Sequence, residues 1–184
     1  MTAGGPPAPP SFGTPPDQNK PIVFVDGCTG VQLSGLTVDG AGRGNLNYRF
    51  QGVAFWNAGG SLANASVIGV SDTPFSGAQH CVGIYAYNNT GGPYTLAVNN
   101  VLVNGFQKNG LALMGDGMVI DVDNLTVTGA GPTPVTAQNG IQVAYGASGT
   151  LDNCMVSGIT YTGPTWTGLW RAAWRRRSRR TTST

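Results

Sequence analysis

Between residues 31 and 158 the apolar positions alternate with polar ones in short runs, and the runs restart around one fixed polar position. The clearest copy is Val98 to Gly105 (VNNVLVNG). The same spacing returns in Leu62 to Gly69 (LANASVIG), Val122 to Gly129 (VDNLTVTG) and Leu151 to Gly158 (LDNCMVSG), and a further copy, Leu33 to Gly40 (LSGLTVDG), has Gly where the others have Asn. The common order is apolar, any, Asn, apolar, any, Val, any, Gly. Alternation on each side of the Asn predicts two half-buried strands of period two. The gap of three across the Asn breaks that parity, so the chain must turn there while both strands keep facing one core. Asn64, Asn100, Asn124 and Asn153 suit such a corner because Asn tolerates the left-handed backbone region, and the Gly35 of the first copy tolerates it more readily still. Asn side chains at one position of successive units can also stack into a shared amide ladder.

A third strand precedes the motif in four of the units, and its signature is a Gly followed by alternating apolar residues: GVAFW from Gly52, GIYAY from Gly83, GLALM from Gly110 and GIQVA from Gly140. The first unit opens instead on PIVFVD from Pro21. The last Val of the motif advances from Val38 to Val67, Val103, Val127 and Val156, in steps of 29, 36, 24 and 29 residues. Variable steps with a constant motif place the insertions in loops, which is how repeat proteins accommodate length changes.

These residues resemble the repeat of right-handed parallel β-helix proteins, the pectate-lyase-like superfamily, over residues 21 to 163. The resemblance implies an all-β, single-domain solenoid of about five coils with three short strands each. It does not choose an activity, because that superfamily includes polysaccharide lyases, hydrolases and epimerases, phage tailspikes and surface proteins, and a fold alone does not specify chemistry. No polygalacturonase series, epimerase Asp-Pro-His or lyase arginine motif is matched, so no catalytic residue is carried over.

Composition agrees with strands. The chain has 184 residues, with 29 Gly and a charged fraction of 10%, and all eight acidic residues are Asp. The absence of Glu and the abundance of Gly, Asn, Thr and Val predict almost no helix. Six of the ten basic residues lie between Arg171 and Arg180, which leaves residues 1 to 170 with four basic and eight acidic groups, a net of −4. The folded body therefore lacks the basic footprint of a nucleic-acid binder. No apolar stretch of about 20 residues is present to span a membrane as a helix. Residues 1 to 20 form a Pro/Gly-rich linker, with Phe12 able to dock on the first unit. Residues 164 to 184 form a Trp/Arg-rich tail, read either as a C-terminal cap or as disordered sequence. An uncapped end would expose strand edges and invite self-association. The start of the chain lacks a signal peptide, and the expectation is that it is a piece of a longer protein that is extracellular or displayed on a cell surface.

The candidate chemistry lies on the Gly-led strands. Their alternation sends Val53, Phe55, Ile84, Ala86, Leu111, Leu113, Ile141 and Val143 inward. Trp56, Tyr87 and Met114 then form an outward column with Tyr85 beside it. Aromatic rings stack on sugar faces, so Trp56, Tyr85 and Tyr87 are the candidate saccharide-binding residues; packing under the flanking loops is the alternative. Asp72, His80, Lys108 and Asp116 are the acid, base or cation candidates in the loops that flank this face, with Arg43 and Arg49 in the first excursion. No pair of carboxylates falls at equivalent groove positions, as a glycosidase requires. Asp121, Asp123 and Asp152 share an outer strand and could hold a Ca²⁺ ion, with solvated surface carboxylates as the alternative; no other metal or cofactor is expected. Cys28, Cys81 and Cys154 have no metal-ligand spacing, and a Cys28–Cys81 disulfide has no support in their phases within the repeat. Three functions stay open: a polysaccharide-binding segment, a fragment of a polysaccharide lyase, hydrolase or epimerase, and a structural spacer or adhesin module.

Overall fold

The structure is a computed structural model and describes residues 19–164. The chain alternates between two sheets. Strand β1 (Lys20–Asp26) belongs to the first sheet and is followed by β2 (Val31–Ser34) and β3 (Thr37–Asp39) in the second. It returns with β4 (Phe50–Trp56), crosses to β5 (Gly60–Ile68), and repeats the alternation through β6 (Val82–Tyr87), β7 (Tyr94–Asn104), β8 (Asn109–Met114), β9 (Met118–Thr128) and β10 (Asn139–Ala144). It ends with β11 (Ser148–Asp152) and β12 (Met155–Ser157) in the second sheet. Every pairing is parallel, and each strand pairs with the equivalent strand one unit away. The one helical segment among the described residues is a short 3₁₀ turn, Gly44–Leu46.

Asn64, Asn100 and Asn124 take φ of +49°, +52° and +51°, Asn153 takes +49°, and Gly35 takes +66°. The pairing steps over these residues: Ala63 faces Asn99 and Ala65 faces Val101, with no bridge from Asn64 itself. Two separate strands around this corner occur only in the first and last units. In the three middle units the ladder resumes immediately on the far side, so β5, β7 and β9 run 9, 11 and 11 residues through the bend. The amides connect three units, with Asn100 Nδ2 donating to Asn64 Oδ1 at 2.8 Å and Asn124 Nδ2 to Asn100 Oδ1 at 3.1 Å. The fourth departs from the row: Asn153 Nδ2 donates to Asp123 Oδ1 at 2.7 Å. Asp123 sits one residue before Asn124 and accepts better than a neutral amide, because a charged acceptor makes the stronger bond.

The glycines that begin the sheet-one strands are explained by close approach. A Cβ on Gly52 would lie 2.5 Å from Val67 Cγ1 and from the Gly83 carbonyl oxygen, and one on Gly83 would lie 2.7 Å from Val103 Cγ1 and from the Gly110 carbonyl oxygen. Gly110 meets Val127 Cγ1 at 2.6 Å and Gly140 meets Val156 Cγ1 at 2.3 Å. The two halves of the sequence signature, the leading Gly and the motif Val, are thus one packing contact repeated in four units.

The space between the sheets is filled by aliphatic and aromatic side chains. Val53, Phe55, Leu62, Val67, Ile84, Leu96, Val103, Leu111, Leu113, Val122 and Val127 are fully buried. Burial decays toward the last unit, where Val143, Leu151, Met155 and Val156 are 40 to 57% exposed. The inward assignment of Ile141 and Val143 therefore yields only partial burial, because no further strand is paired beyond β10 among the described residues. Cys154, in the slot of the buried Leu125, is only half-buried for the same reason. All three cysteines are free. No helix among the described residues is long and apolar enough to cross a membrane. The linker and the tail lie outside the described residues except for Asn19, Lys20 and Pro164, and so do the docking of Phe12 and the capping role of the tail.

Candidate functional site

The outer face of the first sheet carries two columns of side chains. Register places Asp26, Trp56, Tyr87, Met114 and Ala144 in one column, and Phe24, Ala54, Tyr85, Ala112 and Gln142 in the other. Adjacent strands are about 4.8 Å apart, close enough for rings on neighbouring strands to meet. Trp56 and Tyr87 have ring centroids 4.8 Å apart at 41°, and Tyr85 and Tyr87 lie 6.3 Å apart at 26°. The three rings are half-buried, so each is held in place and still presents a surface. Ala54 and Ala112 flank Tyr85 in its column and are fully covered, whereas Phe24 and Met114 on the same face are half-buried.

At the strand entries this face runs into a pocket of about 210 Å³ lined by Tyr48, Arg49, Gln51, Gln79, His80, Cys81 and Tyr85 among others. Tyr48 is 58% exposed; its ring lies 5.5 Å from that of His80, and the Arg49 guanidinium carbon lies 5.8 Å from its centroid. Gln51 is buried, and its Oε1 has no hydrogen-bond partner among the protein atoms. A buried acceptor without a donor is costly. No carboxylate lines the pocket.

Of the four loop candidates, the structure brings two together. His80 Nε2 lies 3.4 Å from Asp72 Oδ1, and His80 Nδ1 lies 3.2 Å from Cys81 Sγ. Each ring nitrogen thus has a neighbour within the protein. Lys108 and Asp116 stand apart, at the entry and exit of β8, six residues of strand or about 20 Å from end to end. Lys108 Nζ donates to the Ala137 carbonyl at 2.5 Å, and burial lowers its pKa. The Asp116 backbone carbonyl accepts from Asn88 Nδ2 at 2.6 Å. In the acidic group on the second sheet, Asp123 accepts from Asn153 at one oxygen and from Asn99 Nδ2 at the other, 3.2 Å away, and Asp121 Oδ1 accepts from Thr150 Oγ1 at 3.2 Å.

Two groups of residues were not singled out by the repeat pattern. Gln107 is fully buried; its Oε1 accepts from the Asp72 and Ser76 amides at 3.0 and 3.4 Å, while its Nε2 donates to the Ala78 carbonyl at 2.8 Å. It moors the 70–82 excursion to the short 106–109 link. Asn109 and Asn139 form a second amide contact, with Asn139 Nδ2 donating to Asn109 Oδ1 at 3.3 Å and Asn109 Nδ2 to Gln142 Oε1 at 2.6 Å. The Asn-Gly pairs at 109–110 and 139–140 are the visible signal for it.

A shallow concavity of about 310 Å³ follows the Asn corner and is lined by Asn64, Ser66, Asn100, Leu102, Asn124 and Thr126 among others. It holds no ionisable group, and its amides already bond one another. Comparisons with protein-family models, curated proteins and solved structures give no match to this chain, so its function is argued from its own residues.

Proposed function

We propose that the chain is a segment of a right-handed parallel β-helix that binds polysaccharide along the outer face of its first sheet. The winding is supported by the alternation of the chain between two wholly parallel sheets, with each unit stacked on the one before. The right hand is supported by the general rule that crossovers between parallel strands of one sheet are right-handed. The observation that carries the ligand class is the cluster of Trp56, Tyr85 and Tyr87 on that face, contiguous through Tyr85 with a pocket lined by Tyr48, Arg49 and Gln79. Flat apolar rings match the axial faces of pyranose rings, and the polar side chains of the adjoining pocket match their hydroxyls. The aromatic cluster supports binding, and no residue is assigned a catalytic role.

A glycan array tests this reading. The chain should be retained on a subset of glycans, and Trp56→Ala or Tyr87→Ala should weaken retention roughly tenfold, which corresponds to about 1.4 kcal/mol per ring. Equal retention of wild type and both variants on every glycan would discard it.

A further inference from the structure

We propose that Asp72, His80 and Cys81 form a binding site for Zn²⁺ or a divalent ion of similar softness. This inference is independent of the saccharide reading and rests on a different cluster. One donor atom from each residue lies within 4.8 Å of the other two, and all three residues are buried or nearly so. Donor atoms on one tetrahedral ion, with bonds of about 2.0–2.3 Å, sit roughly 3.3–3.7 Å apart, so a side-chain closure of about an ångström across the widest pair places a carboxylate oxygen, one imidazole nitrogen and a thiolate on one ion. That donor set, soft sulfur with nitrogen and one oxygen, suits Zn²⁺ and does not suit a hard cation such as Ca²⁺.

The surroundings are built around the donors. Ser76 Oγ donates to Asp72 Oδ2, which fixes the carboxylate and leaves Oδ1 directed at His80 and at the Cys81 thiol, 3.4 and 3.9 Å away. Such outer partners orient ligands in metal sites generally. Gly44 roofs the cluster: a Cβ there would lie 2.3 Å from Asp72 Oδ1 and 2.6 Å from Cys81 Sγ, so only glycine lets the first excursion close over it. Cys81 holds a left-handed backbone, φ +69°, which is unusual for a residue with a side chain and places its sulfur beside the imidazole of its own neighbour. Loading replaces the S–H bond by a metal–sulfur bond and releases one proton to solvent, with no oxidation or reduction. Three protein donors leave a tetrahedral ion one further position for a water ligand, next to the pocket that His80 and Cys81 border. The bound ion would join the 70–82 excursion to the entry of β6.

The test uses the whole chain carrying Cys28→Ser and Cys154→Ser, so that Cys81 is its one thiol, stripped with chelator and titrated with Co²⁺ and then Zn²⁺. The expected result is a cobalt–thiolate charge-transfer band, its displacement by Zn²⁺, and one Zn²⁺ retained per chain after gel filtration. Asp72→Asn and His80→Gln in the same background should weaken binding by more than about tenfold. A titration without a thiolate band overturns the proposal, and so does unchanged affinity in the folded Asp72→Asn and His80→Gln variants. Should either variant fail to fold, the band and the stoichiometry of the double serine variant decide the matter alone.

Discussion

Val127 Cγ1 occupies the space that a side chain on Gly110 would need, 2.6 Å from the Cβ position, and the Gly140 carbonyl oxygen lies 2.5 Å from the same point. Neither obstacle is the free end of a flexible chain, so the contact cannot be relieved locally. Gly110→Ala should destabilise the protein by about 1–3 kcal/mol, the usual cost of overpacking. Gly92→Ala is the control, because its Cβ would have only ordinary contacts at 3.7 and 3.8 Å, and its effect should stay within about 0.5 kcal/mol. Denaturant unfolding of both variants checks this.

The Asn corner makes two separable contributions. Asn124→Gly removes the amide bond to Asn100 and keeps the left-handed backbone, whereas Asn124→Ala loses both. The alanine variant should be the less stable of the two by about 1 kcal/mol, the cost of φ near +50° for a residue with a Cβ. Equal stability of the two variants in urea melts would show that the backbone conformation is not what Asn supplies.

Gln107→Ala should cost about 3 kcal/mol or more, because it strands several buried donors and acceptors of the 70–82 excursion at once. Hydrogen exchange should show the Asp72 and Ser76 amides losing protection while those of β7 and β9 keep theirs. Uniform loss across both sheets would contradict a local mooring role.

The cysteines should react in order of burial. In chelator-treated native protein, Cys28 is exposed and should be alkylated first, Cys154 more slowly, and Cys81 only on unfolding. Burial foremost, and then the charge of Asp72 and its hydrogen bond, push the Cys81 thiol well above its ordinary range. A thiol raised on folding adds stability that is complete below the unfolded value of about 8.5 and erodes as pH rises past it. Thermal midpoints should therefore fall above that pH, and less steeply in Cys81→Ser. Rapid alkylation of Cys81 in the folded state would contradict its burial.

Much of this architecture was legible in the sequence because its determinants recur. The alternating apolar positions identified the strands, the all-β parallel arrangement and the buried face, and the column containing Trp56, Tyr87 and Met114 follows from the same parity. What was not legible depends on contacts that occur once. Asn153 leaves the amide row because Asp123, where the two preceding units have Ala63 and Asn99, offers a charged acceptor. Gln107 and the Asp72–His80–Cys81 cluster lie in excursions of irregular length, where no period relates residue 72 to residue 107. The fit of each leading Gly to its Val was visible as two motifs, but only the structure shows that they touch.

Affinity electrophoresis through gels containing polysaccharides that retain the wild type compares the two outer surfaces directly. The account predicts that Trp56→Ala and Tyr87→Ala are retarded far less than the wild type, as a roughly tenfold weaker affinity requires, while Leu102→Ala and Thr126→Ala, on the Asn-corner concavity, stay retarded like the wild type. Retardation unchanged by the aromatic variants, or abolished by those at the corner, would contradict it.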